Sequence, residues 1–256
     1  MNRLDKLFSE KKNNILNVYC TAGYPKIEDT NTVLESLQKH GADIVELGIP
    51  YSDPLADGPV IQQSSAVALQ NGMSIQKLFD QLNGYRKDFH LPLILMGYLN
   101  PVMQFGIENF CKIAKEVGVD GVILPDLPVY EFENLYRKYF EENDLHFIFL
   151  ITPETSEKRI RKIDELSTGF IYAVSSSSTT GNNKQITDQE NYFLKLQQMK
   201  LKNPVLVGFG IKDKETFQCA CKYTNGAIIG SAYILALQQA IDIDRATKLF
   251  LDGVLR

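Results

Sequence analysis

Cysteine is scarce and scattered in this 256-residue chain, which has only Cys20, Cys111, Cys219 and Cys221. Such spacing argues against a disulfide framework and for reduced thiols in a cytosol-like compartment. Cys219 and Cys221 stand two apart in an expected helix and face different ways. His40, His90 and His146 are isolated from one another, so no metal site is expected. Positive charge is not in excess either. The 27 basic and 31 acidic residues give a net charge of −4, with no basic tail or stripe, which argues against nucleic acid and anionic membranes as partners. No run approaches the roughly 20 apolar residues of a membrane span, and residues 1–8 carry neither a long apolar core nor a cleavage signal. A soluble protein of the cytoplasm, or of an organelle stroma if plastid-encoded, is expected.

A further absence bears on the fold. No G-x-G-x-x-G fingerprint follows the first expected strand, where Thr21-Ala22-Gly23-Tyr24-Pro25 stands, and this disfavours a doubly wound dinucleotide-binding sheet. What is present is an alternation of short apolar or β-branched runs with longer segments of helical period. The expected strands are 15–21, 43–48, 93–98, 121–124, 146–151, 169–174, 205–208 and 227–229. Eight such units predict an α/β fold, a closed (β/α)8 TIM barrel in which a short extra helix near residues 4–8 plugs or flanks the bottom. No internal repeat or linker interrupts the series, so residues 1–256 read as one catalytic domain.

Chemistry enters in the stretch from Glu46 to Pro59. Period-two alternation in Ala42-Asp43-Ile44-Val45-Glu46-Leu47-Gly48 puts Val45 and Leu47 on one face and Ile44, Glu46 and Gly48 on the other. Both faces are mostly apolar, as in a parallel strand covered on both sides, so Glu46 is expected to point into a poorly hydrated interior. Desolvation raises the pKa of a carboxyl group and suits it to general acid work near neutral pH. A structural glutamate held by buried hydrogen bonds or by an arginine is the plainer alternative. The following loop, stiffened by Pro50, Pro54 and Pro59, carries Asp53 and Asp57. If it folds back over the strand end, Glu46 and Asp57 flank one small ligand in unlike environments. Turn formation alone also accounts for Asp-Pro and Asp-Gly pairs.

The far side of the barrel reads as an anion site. Gly208-Phe209-Gly210-Ile211 follows the seventh expected strand, and Gly230-Ser231-Ala232 follows the eighth and opens a short helix. Glycine turns and a helix N-terminus offer backbone N–H groups, and Ser231 adds a hydroxyl, in the place where (β/α)8 enzymes often hold phosphate. The small polar residues 175–184, after the sixth expected strand, suit a flap or a plain solvent loop. Tyr172 is expected to be buried and to need a partner for its hydroxyl, either a ligand or the backbone.

Glu46-Leu47-Gly48-Ile49-Pro50 with Ser52-Asp53-Pro54 and Ala56-Asp57-Gly58-Pro59 resembles the signature of the tryptophan synthase alpha chain family. Thr21-Ala22-Gly23 with Pro25, Pro125-Asp126-Leu127-Pro128, Thr180-Gly181 and the two glycine turns extend the resemblance over nearly the whole chain. It implies a lyase of tryptophan biosynthesis that performs the retro-aldol cleavage of indole-3-glycerol phosphate to indole and glyceraldehyde 3-phosphate. By that resemblance Glu46 protonates indole C3 and helps remove the side-chain hydroxyl proton, while Asp57 accepts a hydrogen bond from the indole N–H. Tyr172 lines the site. Gly181, Gly210, Gly230 and Ser231 hold the phosphate, and Thr180 belongs to the closing loop. The chain itself carries no cofactor; a beta chain with pyridoxal phosphate is the implied partner, in an α2β2 tetramer with an indole tunnel, met by the loop of Pro50 and Asp53. Two features depart from the family pattern: Ser176 and Ser178 replace a basic residue and a glycine in the flap, and Tyr24 replaces an aspartate. Two rivals remain. A Schiff-base aldolase needs a lysine on a strand, but none of the eight has one, and Lys184 and Lys212 are expected in loops. A noncatalytic subunit that activates a partner accounts for the altered flap but not for both carboxylates.

Overall fold

A computed structural model of the protein describes residues 1–174, 183–208 and 210–256, with the backbone alone for 183–190. The described residues form nine parallel strands: β1 (Ile15–Thr21), β2 (Ile44–Gly48), β3 (Leu93–Met96), β4 (Gly121–Ile123), β5 (His146–Phe147), β6 (Leu150–Ile151), β7 (Ile171–Val174), β8 (Val205–Gly208) and β9 (Gly226–Ile229). They lie in the spatial order β5-β4-β3-β2-β1-β9-β8-β7-β6. The two edge strands are halves of the single strand expected at 146–151. Between them the chain changes neighbours: Ile148 N–H donates to Val122 O at 3.0 Å on the β4 side, and Tyr172 N–H donates to Phe149 O at 3.0 Å on the β7 side. The sheet thereby closes into a single-domain (β/α)8 barrel with no free edge.

Most strand ends coincide with the expected bounds; β2 and β7 start later, at Ile44 and Ile171, β3 and β4 stop earlier, at Met96 and Ile123, and β9 starts one residue earlier, at Gly226. The covering helices are α1 (Arg3–Glu10), α2 (Asp29–His40), α3 (Pro59–Gln70), α4 (Ile75–Leu82), α5 (Leu99–Phe105), α6 (Ile107–Glu116), α7 (Val129–Glu131), α8 (Arg137–Glu142), α9 (Glu157–Leu166), α10 (Asn183–Met199), α11 (Lys214–Cys221), α12 (Ser231–Gln238) and α13 (Ile243–Leu255). Lys184, expected in a loop, falls at the start of α10. Among the described residues no helix is long and apolar enough to cross a membrane.

Strand parity decides which side chains fill the barrel and which meet the helices. Ile15, Ile44, Ile94, Ile148, Leu206 and Ile228 point inward into one apolar cluster. Leu16, Val45, Leu95, Phe147, Val207 and Ile229, of the opposite parity, pack in the larger cluster beneath the helices. Each side chain of this size stabilises the fold by roughly 1.5–3 kcal/mol when fully buried.

Helix α1 seals the lower end. Leu4 and Phe8 enter the inner cluster, and the Phe8 ring lies 6.1 Å from that of Phe170. The helix is pinned at its start, where the Asn2 side chain accepts from Leu4 N–H at 3.0 Å and donates to the carbonyls of Asp120 (2.9 Å) and Asp144 (3.0 Å). The buried Asp120 carboxylate accepts from Arg86 at 2.7 Å, Arg3 at 2.9 Å and Leu93 N–H at 2.9 Å. Arg86→Met leaves that carboxylate with the half-exposed Arg3 as its one charged partner among the described residues, so it should lower the unfolding free energy by about 3 kcal/mol. Arg3→Met, whose side chain is already 40% exposed, should cost less than about 1 kcal/mol. Urea denaturation of the two variants measures the difference, and equal losses would contradict it.

Candidate active site

The alternation of β2 places Ile44 and Glu46 inward, with Val45 and Leu47 outward against the helices. Glu46 stands near the upper end of the strand, opposite Tyr19 in the ladder and only 1% exposed. One of its oxygens, Oε2, accepts from Asn17 Nδ2 at 2.9 Å. Burial pushes its carboxyl up to about 8, the Asn17 hydrogen bond opposes that rise, and the charge of Asp57 adds a little to it. Near neutral pH the group is therefore mostly protonated.

Asp57 reaches the same cleft from the loop between β2 and α3. The loop folds back through local bonds, Asp57 N–H to Pro54 O at 3.0 Å and Gln62 Nε2 to Asp57 O at 2.8 Å. Tyr98, just beyond β3, fixes both the loop and the carboxylate. Its hydroxyl accepts from Ala56 N–H at 3.0 Å and donates to Asp57 Oδ2 at 3.1 Å. Half-buried Asp57 is pushed up to about 6 by desolvation, against the Tyr98 bond. Two carboxyl groups thus face one cleft with separated proton affinities, one mostly acid and one mostly ionised between pH 6 and 8.

The cleft has a volume of about 640 Å³ and lies at the C-terminal ends of the strands. Glu46, Asp57, Tyr172, Gly210, Gly230 and Ser231, all singled out from sequence, line it together. Tyr19 and Tyr172 form its inner wall, and two glycines make room for them. A Cβ at Gly48 would sit 2.1 Å from the Tyr19 hydroxyl, and one at Gly208 would sit 2.3 Å from the Tyr172 hydroxyl. Burial raises both phenols well above the ordinary tyrosine value, so they stay neutral.

Beside these tyrosines Gly210 takes a left-handed φ of +75°, and Gly230, where a Cβ would lie 3.6 Å from the Tyr19 Cβ, caps α12. The first-turn N–H groups of Ser231 and Ala232 have no carbonyl within the helix to bond, and both residues line the cleft. Arg159 and Lys212 add positive charge at the rim. These donors suit an anion. The apolar walls from Ile61, Met96, Leu150, Val174 and Ile228 suit a flat aromatic group.

Thr180, Gly181, Ser176, Ser178 and Phe209 lie outside the described residues. Pro50 and Asp53 do not enter the cleft. Pro50 lines a separate groove with Tyr51, Ser52, Pro101, Gln104 and Phe105, and Asp53 is exposed. Tyr24 is buried in the helix-side core, away from the cleft. Sequence reasoning missed Asn17, Tyr19 and Tyr98. The parity that singled out Glu46 also turns Asn17 and Tyr19 inward along β1, whereas Tyr98 lies just past the end of its strand and carries no such signal.

The comparisons with known proteins agree with this geometry. The family model for the tryptophan synthase alpha chain matches residues 4–250. The tryptophan synthase alpha chain of Bacteroides thetaiotaomicron is 49% identical over 255 residues, 99% of this chain and 100% of that one. The crystal structure of tryptophan synthase subunit alpha from Legionella pneumophila superimposes with a TM-score of 0.90 at 34% identity, covering 99% of this chain and 97% of that one. A chain of M. tuberculosis tryptophan synthase, in its aminoacrylate-bound form, gives a TM-score of 0.86 at 28% identity over 99% of this chain and all of that one (100%). A match of this length, over a barrel whose mouth gathers the signature residues, makes the chain a lyase that belongs to the tryptophan synthase alpha chain family.

Proposed function

We propose that residues 1–256 form one catalytic domain that cleaves indole-3-glycerol phosphate to indole and glyceraldehyde 3-phosphate. The observation that carries this reading is the pair of unlike carboxyl groups on one cleft, Glu46 pushed up to about 8 and Asp57 to about 6. The protonated Glu46 gives its proton to indole C3, and the ring becomes a cation. Ionised Asp57 accepts a hydrogen bond from the indole N–H and favours that charge in a site where water is scarce. Glu46, now a carboxylate, removes the proton of the hydroxyl on the carbon attached to C3. The bond between C3 and that carbon breaks, its electrons return to the ring as indole, and the hydroxyl carbon leaves as an aldehyde. Glu46 ends protonated, so protons balance over the cycle.

Gly210, Gly230 and Ser231 hold the phosphate through backbone N–H groups and a hydroxyl, with Thr180 and Gly181 as further contributors. Tyr172 packs against the ligand. The beta chain of tryptophan synthase is the partner, and pyridoxal phosphate resides there; the assembly is an α2β2 tetramer acting in the cytoplasm. The groove at Pro50, beside exposed Asp53 and the bare apolar side chains of Leu55 (93% exposed) and Met103 (51%), supports a docking face there.

Glu46→Gln and Asp57→Asn should each lower kcat for indole release by roughly 10²-fold or more, with circular dichroism unchanged. A near wild-type rate in either variant removes that residue from the mechanism. The pH profile of kcat/KM should be bell-shaped, falling below about 6 as Asp57 takes up a proton and above about 8 as Glu46 loses one. A flat profile across that window would break the assignment of acid and base. Addition of a beta chain should stimulate indole release many-fold, and Asp53→Lys should weaken that stimulation while sparing the basal rate. Equal stimulation of the variant would place the docking face elsewhere.

A further inference from the structure

Beneath Glu46 lies a polar side chain with no place in an apolar core. In the ladder Asn17 pairs with Ile44 and Tyr19 with Glu46, so Asn17 occupies the inward layer one step below the carboxyl group. It is wholly buried (0% exposed), with Ile15 and Ile44 of the inner cluster around its level. Its Nδ2 donates to Glu46 Oε2 at 2.9 Å, but its own Oδ1 has no hydrogen-bond partner among the described residues. A buried amide carbonyl left unpaired is a cost that a leucine at the same position avoids. Packing therefore does not account for an asparagine here, and the bond to Glu46 does.

We infer that Asn17 is a positioning residue for Glu46: its amide N–H holds Oε2 as an acceptor from below, so that the acidic proton sits on Oε1 and faces the ligand. The inference rests on the proposed acid-base role of Glu46. The mechanism follows from donor and acceptor counting. A carboxyl oxygen that accepts from Nδ2 in both protonation states is not the oxygen that carries the proton. Oε1 makes no protein hydrogen bond among the described residues, and it is left to give the proton to C3 and to take one back from the hydroxyl. The same N–H stabilises the carboxylate formed in between, which moderates the effect of burial on this group. Other titratable groups around Glu46 are Asp57 from the loop after β2, Tyr19 on the inner and Cys20 on the outer face of β1, and Tyr172 from β7. Burial keeps the last three neutral, so Asp57 supplies the variable charge, and a substitution at Asn17 leaves it in place.

Asn17→Leu and, to guard against a steric failure, Asn17→Ala test this by two readouts on the full chain. Carboxyl ¹³C NMR, assigned with Glu46→Gln, should show the Glu46 titration moving upward by about one unit in both variants, a roughly tenfold weaker acid. Indole release should show kcat down about tenfold, KM little changed, and the alkaline limb of the profile displaced by the same amount. Unfolding midpoints near neutral pH should not fall for Asn17→Leu, since the orphan carbonyl goes with the amide. An unmoved titration overturns the inference even if turnover drops, because a purely structural role predicts that pattern. A downward shift also overturns it, since that result means the amide carbonyl had been accepting from the protonated acid. Should the wild-type chain release no indole, the proposed reaction fails, while the titration still decides what Asn17 does to Glu46.

Discussion

Water is kept away from one carboxyl group, and most of the architecture serves that end. Glu46 is an acid near neutral pH only while the barrel is closed beneath it and walled around it. Closure comes from the exchange of neighbours between β5 and β6, which leaves no edge through which solvent can reach the inner cluster. The lower end is stopped by Leu4 and Phe8 of α1, and the inner wall by Tyr19 and Tyr172. Removal of any one of these re-hydrates the carboxyl group and returns it toward an ordinary glutamate.

The two ends of the barrel are built from different materials. Below, Asp120 gathers Arg3, Arg86 and Leu93 around a buried charge and ties the plug helix to the sheet, with all charges paired. Above, polar groups keep spare capacity among the described residues: Glu46 Oε1, the first-turn amides of α12, and Asp57 beyond its bond to Tyr98. Satisfied polar groups hold a fold together, whereas unsatisfied ones at a cleft are available to a ligand. This asymmetry matches the general division of (β/α)8 barrels into a stable face and a chemical face.

The sequence made the framework legible because strand parity and turn chemistry are local. Glu46 stood out as a charge inside an apolar run, and Gly210, Gly230 and Ser231 as turn residues after two strands; all four line the cleft. What stayed hidden depends on partners far along the chain. Tyr98 and Asp57 lie 41 residues apart, and nothing near either residue announces the other. Asn17 and Glu46 lie 29 apart, although their shared inward parity on neighbouring strands was available to a closer reading. The division of one expected strand into β5 and β6 was equally hidden, since changing neighbours is a property of barrel closure and not of residues 146–151 themselves.

Burial of Glu46 also ties folding to proton uptake. In the open chain this carboxyl group has its ordinary value of 4.5, but within the barrel it is pushed up to about 8. Between those values the folded protein binds a proton that the unfolded chain has released, so the free energy of folding becomes less favourable as alkali is added, and the full penalty is present above the upper value. The group that makes the barrel an acid also makes it a weaker barrel in base.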